Sequence, residues 1–441
     1  MSVPRYATRV ARWLVAVLWL GCTQVDTVAV RPPDAALPGA DLGTDFCEGT
    51  GPLVQVGDGP RCAGQVAQTT FRYAVCTCEG WATSAPVITD AFDSTAGPYT
   101  LGEGGGSVGT NGRFDAAASA AIGGGLDVGG AALVFGAVDL EVRGRLRSAG
   151  PLTGDGALTV GGDARVDGDL RVGDLTVAGA VITPPGATVE VRGVDAAPRR
   201  EMAPVDVPAP CDCAPDRLLD VAAVVDAHRT DHDDAIAGLD PRSLVALPAG
   251  TRVELDCGRY YFERVDGADL TVRARGRVAI FVAGDLALNG ALGVELDAGA
   301  EVDLFVAGNV LGQARWTLGG PEDPAAVRVY VGGDGTLELA GGALFAGNVY
   351  APRAELVTPA DVEVFGSLFA RRLAASGPLT VHYDRAVLRQ GAACPTQATC
   401  TSCRDCGNQA CLEGTCDACR TDADCCAPLL CAAGTCVPQI D

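Results

Sequence analysis

Between residues 90 and 195 the apolar positions come in short runs that alternate with polar ones and break at Gly. The runs read "GGLDVGGAALVFG", "VDLEVRG", "ALTVGGDARVDGDLRVGDLTVAG" and "ATVEVRG". Alternation at period two predicts strands with one buried face. Each run is too short to hold as a free hairpin, so the runs must stack to bury their apolar side. Strands of successive turns then pair in parallel, inward Val, Leu and Ala form ladders, and Gly or Asp takes the bends. Val160, Val166 and Val172 are expected on such an inward ladder.

The same patterning resumes near Leu247 and continues to Leu388, with "FVAGDLAL" at Phe281, "FVAGNVLG" at Phe305, "YVGGDGTLEL" at Tyr330 and "FAGNVYAP" at Phe345. The first two steps suit one coil of a three-faced β-helix, whereas the step from Tyr330 to Phe345 is irregular. At roughly 20 residues and about 4.8 Å per coil, the two segments make a rod of roughly 60 Å. Between them, Pro198, Pro204, Pro208 and Pro210 interrupt the pattern. "APDRLLDVAAVVDAHRTDHDDAI" follows and reads as the one clear helix, with Leu218, Val221, Val225, His228 and His232 on one stripe. An isolated helix beside a solenoid is expected to cover an open end or a flank.

The fold class expected is all-β: a right-handed parallel β-helix (solenoid) with one capping α-helix and small disulfide-rich modules at both ends. The boundaries read as leader 1–22, tether 23–45, Cys-rich module 46–89, solenoid 90–195, linker and helix 196–247, solenoid 248–390 and Cys-rich module 391–441.

Composition narrows the chemistry. All 33 basic residues are Arg, which excludes a P-loop Lys, a Schiff base and a Ser-Lys dyad. A formal charge of −22 repels phosphate backbones, so nucleic acid is excluded as a partner. The 19 Cys point to an oxidising compartment. Arg5, Arg9 and Arg12 precede the apolar stretch "WLVAVLWL", which is too short to span a bilayer and ends at Gly21-Cys22. This resembles a bacterial lipoprotein signal in which Cys22 is lipidated, with Trp19 where Leu is usual. The alternative is an ordinary cleaved signal peptide. Removing Cys22 leaves 18 cysteines, an even number.

The disulfide candidates are Cys47, Cys62, Cys76, Cys78, Cys211, Cys213, Cys257, Cys394, Cys400, Cys403, Cys406, Cys411, Cys416, Cys419, Cys425, Cys426, Cys431 and Cys436. Cys76 and Cys78 face the same way on a strand, so each needs its own partner; zinc is the alternative, with spacing that does not fit paired CxxC knuckles. Eleven cysteines lie beyond residue 390, so if all 18 pair, at least one bridge joins the tail to the body. "CLEGTC" and "CAAGTC" repeat within that tail, which has too few aliphatic residues to bury a core.

"FRYAVCTCEG", "TDAFDSTAGPY", "GTNG", "DHDDAIAGLDP", "CGRYYF", "VYAPRAELV" and "VHYD" give the chain a family likeness. Over residues 47–440 it resembles a group of uncharacterised Cys-rich bacterial surface lipoproteins. Residues 248–384 also resemble a β-helical domain of unknown function found in secreted surface proteins and some pilus-assembly-associated proteins. The tail is similar to small disulfide-knot modules. The resemblance implies a β-helix at the cell surface and carries no activity with it.

The chain has three His. His228 and His232, with Asp231 beside them, have the i,i+4 spacing of zinc-binding helices, but Arg229 stands where a zincin needs Glu. Two His at the wet end of an amphipathic stripe, followed by a solvated acidic turn, explain them better, so no metal site is expected. His382 and Asp384 share a strand face without a nucleophile context, and read as hydrogen-bonding groups of the last coil. The Asp and Arg rows, such as Arg143, Arg145, Arg147, Arg165 and Arg171, suit either a glycan-cleaving groove or any outward β face. Calcium is weighed because "GGDARVDGD" and "GGDGTLEL" begin like calcium-binding nonapeptides; they then miss the Gly or Asp offset, and an Asp bonding its own turn explains them.

The function expected is a non-catalytic cell-surface lipoprotein, a β-helical scaffold or adhesin presenting a Cys-rich module. The partners expected are the membrane, through the lipid anchor, and surface glycans or other envelope proteins. The alternative is a β-helix enzyme or binding protein acting on polysaccharide. End-to-end filaments are disfavoured because the helix and Cys modules would block the edges.

Overall fold

A computed structural model of the chain describes residues 27–28, 53–56, 59–101, 104–312, 315–340, 344–390, 403, 410–412, 414–417, 419–427, 429–432 and 435–437. Its body is a parallel β-solenoid with three walls. Three-residue strands such as Leu140–Val142, Ala164–Val166 and Leu170–Val172 bury their first and third residues and expose the second. The ladders are built by in-register stacking: Leu140 on Leu158, and Leu158 on Leu175. Val160, Val166 and Val172 do not share one ladder. Val160 pairs with Val142, Val166 with Ser148, and Val172 with Val191, each on a different wall. Their spacing is therefore the length of one wall, and a coil takes three walls.

On the first wall, 13 strands stack among the described residues, from Thr251–Leu255 to Asp195–Ala196. Twelve steps at about 4.8 Å give a rod of roughly 58 Å. The order along the axis is not the order of the chain. The rod starts at Thr251–Leu255, rises to Leu379–Asp384, passes to Val87–Phe92 and ends at Asp195–Ala196. At the junction one coil is composite. Leu379–Asp384 forms its first wall, and Val75–Thr83, almost 300 residues earlier, forms the other two. Val75–Thr83 stacks on Val362–Ala375 below and on Val108–Thr110 and Arg113–Ala116 above. The two halves thus form one continuous rod, and residues 75–89 belong to it rather than to a separate N-terminal module. Thr27–Val28 pairs with the Thr251–Leu255 end.

The corners explain the recurring Asp. Asp163 accepts from the Ala180 amide (2.9 Å), Asp169 from Thr188 (2.8 Å), Asp269 from Ala291 (2.7 Å) and Asp285 from Asn309 (2.7 Å). Each carboxylate reaches the next coil, where the sequence suggested a bond within its own turn. Gly179, Gly290 and Gly308, one residue before the donor, leave the room: a Cβ there would collide with the carboxylate of Asp163, Asp269 or Asp285.

A strap formed by residues 203–250 leaves the Asp195–Ala196 end and returns along the second wall. Cys211 and Cys213 bond to Cys76 and Cys78, and Asn111 holds Cys211 through both its amide and its carbonyl. The strap then covers a row of aromatic residues in the other half: Phe281, Phe305, Tyr330, Tyr350 and Phe369, stacked in register. Tyr350, not Phe345, continues this row; Phe345 lies on the first wall opposite Leu318. The long helix expected here is shorter, Val221–Ala227, followed by a separate turn, Asp234–Ala237. It ends at His228, which stacks on Phe281, and beyond it the strap steps to the adjacent rung, where His232 stacks on Tyr261. Val221, Val224 and Val225 are its buried face, so it covers a flank and not an end.

The Asp195–Ala196 end is closed by charge. Arg200 stacks over Val181 and Asp195 over Leu175, and the two form an ion pair above the apolar ladders. Charged residues at inward positions blunt an edge against further stacking. The C-terminal repeats form two antiparallel hairpins of equal register, with Cys411 opposite Cys416 and Cys431 opposite Cys436. Bridges join Cys403 to Cys426, Cys419 to Cys431 and Cys425 to Cys436; Cys257 and Cys411 are also disulfide-bonded. Cys22, Cys47, Cys394, Cys400 and Cys406 lie outside the described residues, as do the side chains of Cys62 and Cys416.

The corner geometry predicts a specific coupling. Asp269→Ala removes charge-assisted bonds and is expected to cost about 2 kcal/mol. Gly290→Ala forces a methyl against that carboxylate and is expected to cost about 1–3 kcal/mol. In urea denaturation the double variant is expected to lose clearly less than the sum, because Asp269→Ala removes the clash. Strict additivity would contradict the corner account.

Candidate functional site

The densest cluster of polar and aromatic groups lies at the composite coil. Register places His382 opposite Asp90 and beside Phe365. Its Nδ1 is 2.7 Å from Asp90 Oδ1, and its Nε2 is 3.0 Å from Glu363 Oε1. Tyr99 donates its hydroxyl to Asp90 Oδ2 at 2.7 Å and lies against the His382 ring, with centroids 4.1 Å apart. Phe92 and Phe365 meet Tyr99 edge-on at 5.4 and 5.6 Å. The sequence could not show this site, because Asp90 and His382 are 292 residues apart and no local spacing reports a contact across the junction. His382 and Asp384 share a face but do not pair with each other. Asp384 accepts from the Ser94 and Ala386 amides, both at 3.0 Å, and so caps the turn Arg385–Arg389.

His228 and His232 extend the aromatic row. His228 is fully buried and stacks on Phe281 at 4.0 Å, with its Nδ1 3.0 Å from the Asp231 carbonyl. Burial lowers its pKa below the usual value for His. His232 stacks on Tyr261 at 5.6 Å and faces Asp234, which burial pushes up to about 6. The two rings thus sit over successive rungs, an arrangement of stacking rather than of metal ligands. Among the described residues, the three ligand atoms grouped closely enough for a metal are the sulfurs of Cys419, Cys425 and Cys436, all in disulfides.

Outward charges pair both between coils and within one coil. Arg147 makes a bidentate pair with Asp127, at 2.6 and 2.8 Å, and Arg145 lies 3.7 Å from the same carboxylate. Arg143 pairs with Glu141, Arg165 with Asp163, and Arg171 with Asp169 and Glu190. Arg328, fully buried, is held by Asp303, Glu301 and the Ala325 carbonyl. Two open clefts flank the composite coil. One, of about 550 Å³, is lined by small residues including Ala82, Ala374 and Val134; the other, of about 570 Å³, lies beside the Cys78–Cys213 bridge, Arg353 and Asp334.

Fold and site together define a disulfide-locked parallel β-solenoid. Residues 215–389, which contain the strap helix and the lower half of the rod, match the model of a domain of unknown function (DUF7305). No curated protein matches the sequence. Among solved structures, the C-terminal domain of tapirin from Caldicellulosiruptor kristjanssonii is similar at 10% identity, over 74% of this chain and 96% of that one. Its TM-score is 0.19, a likeness too loose to bring anything from that protein to this one.

The His382 cluster makes stability pH-dependent. Burial disfavours the imidazolium, but the hydrogen bonds and charges of Asp90 and Glu363 outweigh it and raise the His382 pKa above its ordinary value. A raised folded pKa contributes stability that is complete below the unfolded value of about 6.5 and fades as pH rises through the folded value. The melting-temperature advantage of wild type over His382→Gln is therefore expected to be larger at pH 5.5 than at pH 8.5. An advantage that grows with pH would contradict this assignment.

Proposed function

We propose that the chain is a non-catalytic surface protein, a rigid rod of scaffold or adhesin type, tethered by lipid at Cys22 and displayed outside the cell. The observation that carries this reading is the use the rod makes of its polar groups. Corner carboxylates bind backbone amides of the next coil, outward arginines pair with neighbouring acids, and the three histidines stack or bridge within the fold. Such groups stiffen a display surface. The bridges Cys76–Cys211 and Cys78–Cys213 fit an oxidising exterior. The basic and apolar leader ending at Gly21-Cys22 supports lipid attachment.

In this reading the tether begins near the Thr251–Leu255 end, where Thr27–Val28 pairs, and the charge-blunted end projects away from the membrane. The Cys-rich tail follows Arg385–Arg389, at the composite coil, so the rod presents it from its flank. Metabolic labelling with palmitate is expected to tag the wild-type chain and to leave Cys22→Ala unlabelled. A wild-type chain without label would remove the anchor from this account.

A further inference from the structure

We infer that the first wall at the composite coil carries a binding site for a neutral sugar ring, filled in this structure by the chain's own Tyr99. The inference deepens the reading of the rod as a surface-binding protein and rests on it for where such sugars are met. Sugar titration of the purified chain and palmitate labelling fail independently, so one result does not decide the other.

The geometry of Tyr99 is that of a ligand on a prepared surface. Phe92, Ala346 and Phe365 form a small apolar cluster outside the main core. His382 adds a ring face, and Asp90 and Glu363 bind its two nitrogens and hold it in place. Tyr99 lays its ring among these groups and gives its one hydroxyl to Asp90 Oδ2.

The segment that carries Tyr99 is fastened at its near end and reaches the site through Tyr99 beyond it. Arg389 pairs with Asp93, and Asp384 holds the Ser94 amide. Gly97 then takes φ +144°, a conformation other residues rarely adopt. Among the described residues from Pro98 to Leu101, Tyr99 makes the one side-chain hydrogen bond to the rod. Leu101, two residues on, leaves 87% of its surface exposed. A displaced Tyr99 therefore takes few other contacts with it.

The chemistry uncovered selects the ligand class. Two carboxylates are acceptors, so they bind hydroxyl donors and repel anions. Aromatic rings beside them suit the C–H face of a pyranose. A plain apolar ring would leave the buried Asp90 oxygen unpaired, whereas a sugar serves both Asp90 and Glu363, whose side chain is 58% exposed at the rim. A neutral sugar meets these demands and a uronic acid does not.

The test uses the full disulfide-bonded chain as wild type, Tyr99→Ala, Tyr99→Phe and Tyr99→Ala with Glu363→Gln. Each is titrated by calorimetry with a panel of neutral methyl pyranosides, with methyl glucuronate and with p-cresol. Tyr99→Ala is expected to bind at least one neutral pyranoside about tenfold more tightly than wild type, and Glu363→Gln to remove about tenfold of that gain. Methyl glucuronate is expected not to bind. Tyr99→Phe, which keeps the ring but gives nothing to Asp90, is expected to fall between wild type and Tyr99→Ala, and it decides the matter if Tyr99→Ala does not fold. The inference is overturned if the folded variants bind no neutral pyranoside, if they bind p-cresol alone, or if they bind methyl glucuronate as well as the neutral sugars.

Discussion

In both halves of the rod, coils are tied to the next at corners where a carboxylate accepts from a backbone amide one coil on. That bond sets what the neighbouring residues can be. The acceptor is Asp or Asn, as Asp269, Asp285 and Asn309 show, and at Gly179, Gly290 and Gly308 the residue before the donor is Gly because a side chain there would occupy the place of the carboxylate. Straight walls between such corners need only alternate, which is why three-residue strands suffice here and would not in an isolated hairpin. The inward rows then bury one continuous apolar core along the length of the rod.

The second constraint is closure in the middle. The chain begins its solenoid at the composite coil, builds to one end, returns as the strap, and builds from the other end back to where it began. Contacts there join residues almost 300 apart, so loop closure is costly before any contact rewards it. The tandem bridges to Cys211 and Cys213 fasten the strap to Val75–Thr83, the strand that completes the composite coil. The strap in turn covers the aromatic row of the other half, with His228 and His232 stacked on its lower rungs. Strap, bridges and junction thus serve one purpose, which is to make two stacks behave as one body.

The period-two alternation and the Gly-Asp corners carried the fold class in the sequence, because both are local consequences of stacking. The order of the coils was not legible. Nothing in the pattern near Val75 or Leu379 distinguishes a strand that pairs with its chain neighbour from one that pairs across the junction. The same limit hid Asp90 as the partner of His382 and directed attention to Asp384, two residues away. The i,i+4 spacing of His228 and His232 suggested a helix face because a strap following rungs has no sequence signature of its own. Calcium was weighed for the Asp repeats because the sequence shows the residue but not which amide it meets.

A rod whose outward polar groups are already engaged in holding its shape offers binding surface mainly where something covers it, and Tyr99 over His382 is such a place. The whole account rests on the re-entrant path of the chain. The most direct test places spin labels at Val194 and Ala249 through non-cysteine handles and measures their separation by pulsed dipolar spectroscopy. The re-entrant rod predicts roughly 60 Å, the twelve coil steps between its two ends. A separation of about 20 Å or less would mean that the halves stack in chain order, and it would contradict the composite coil, the strap and the site built upon them.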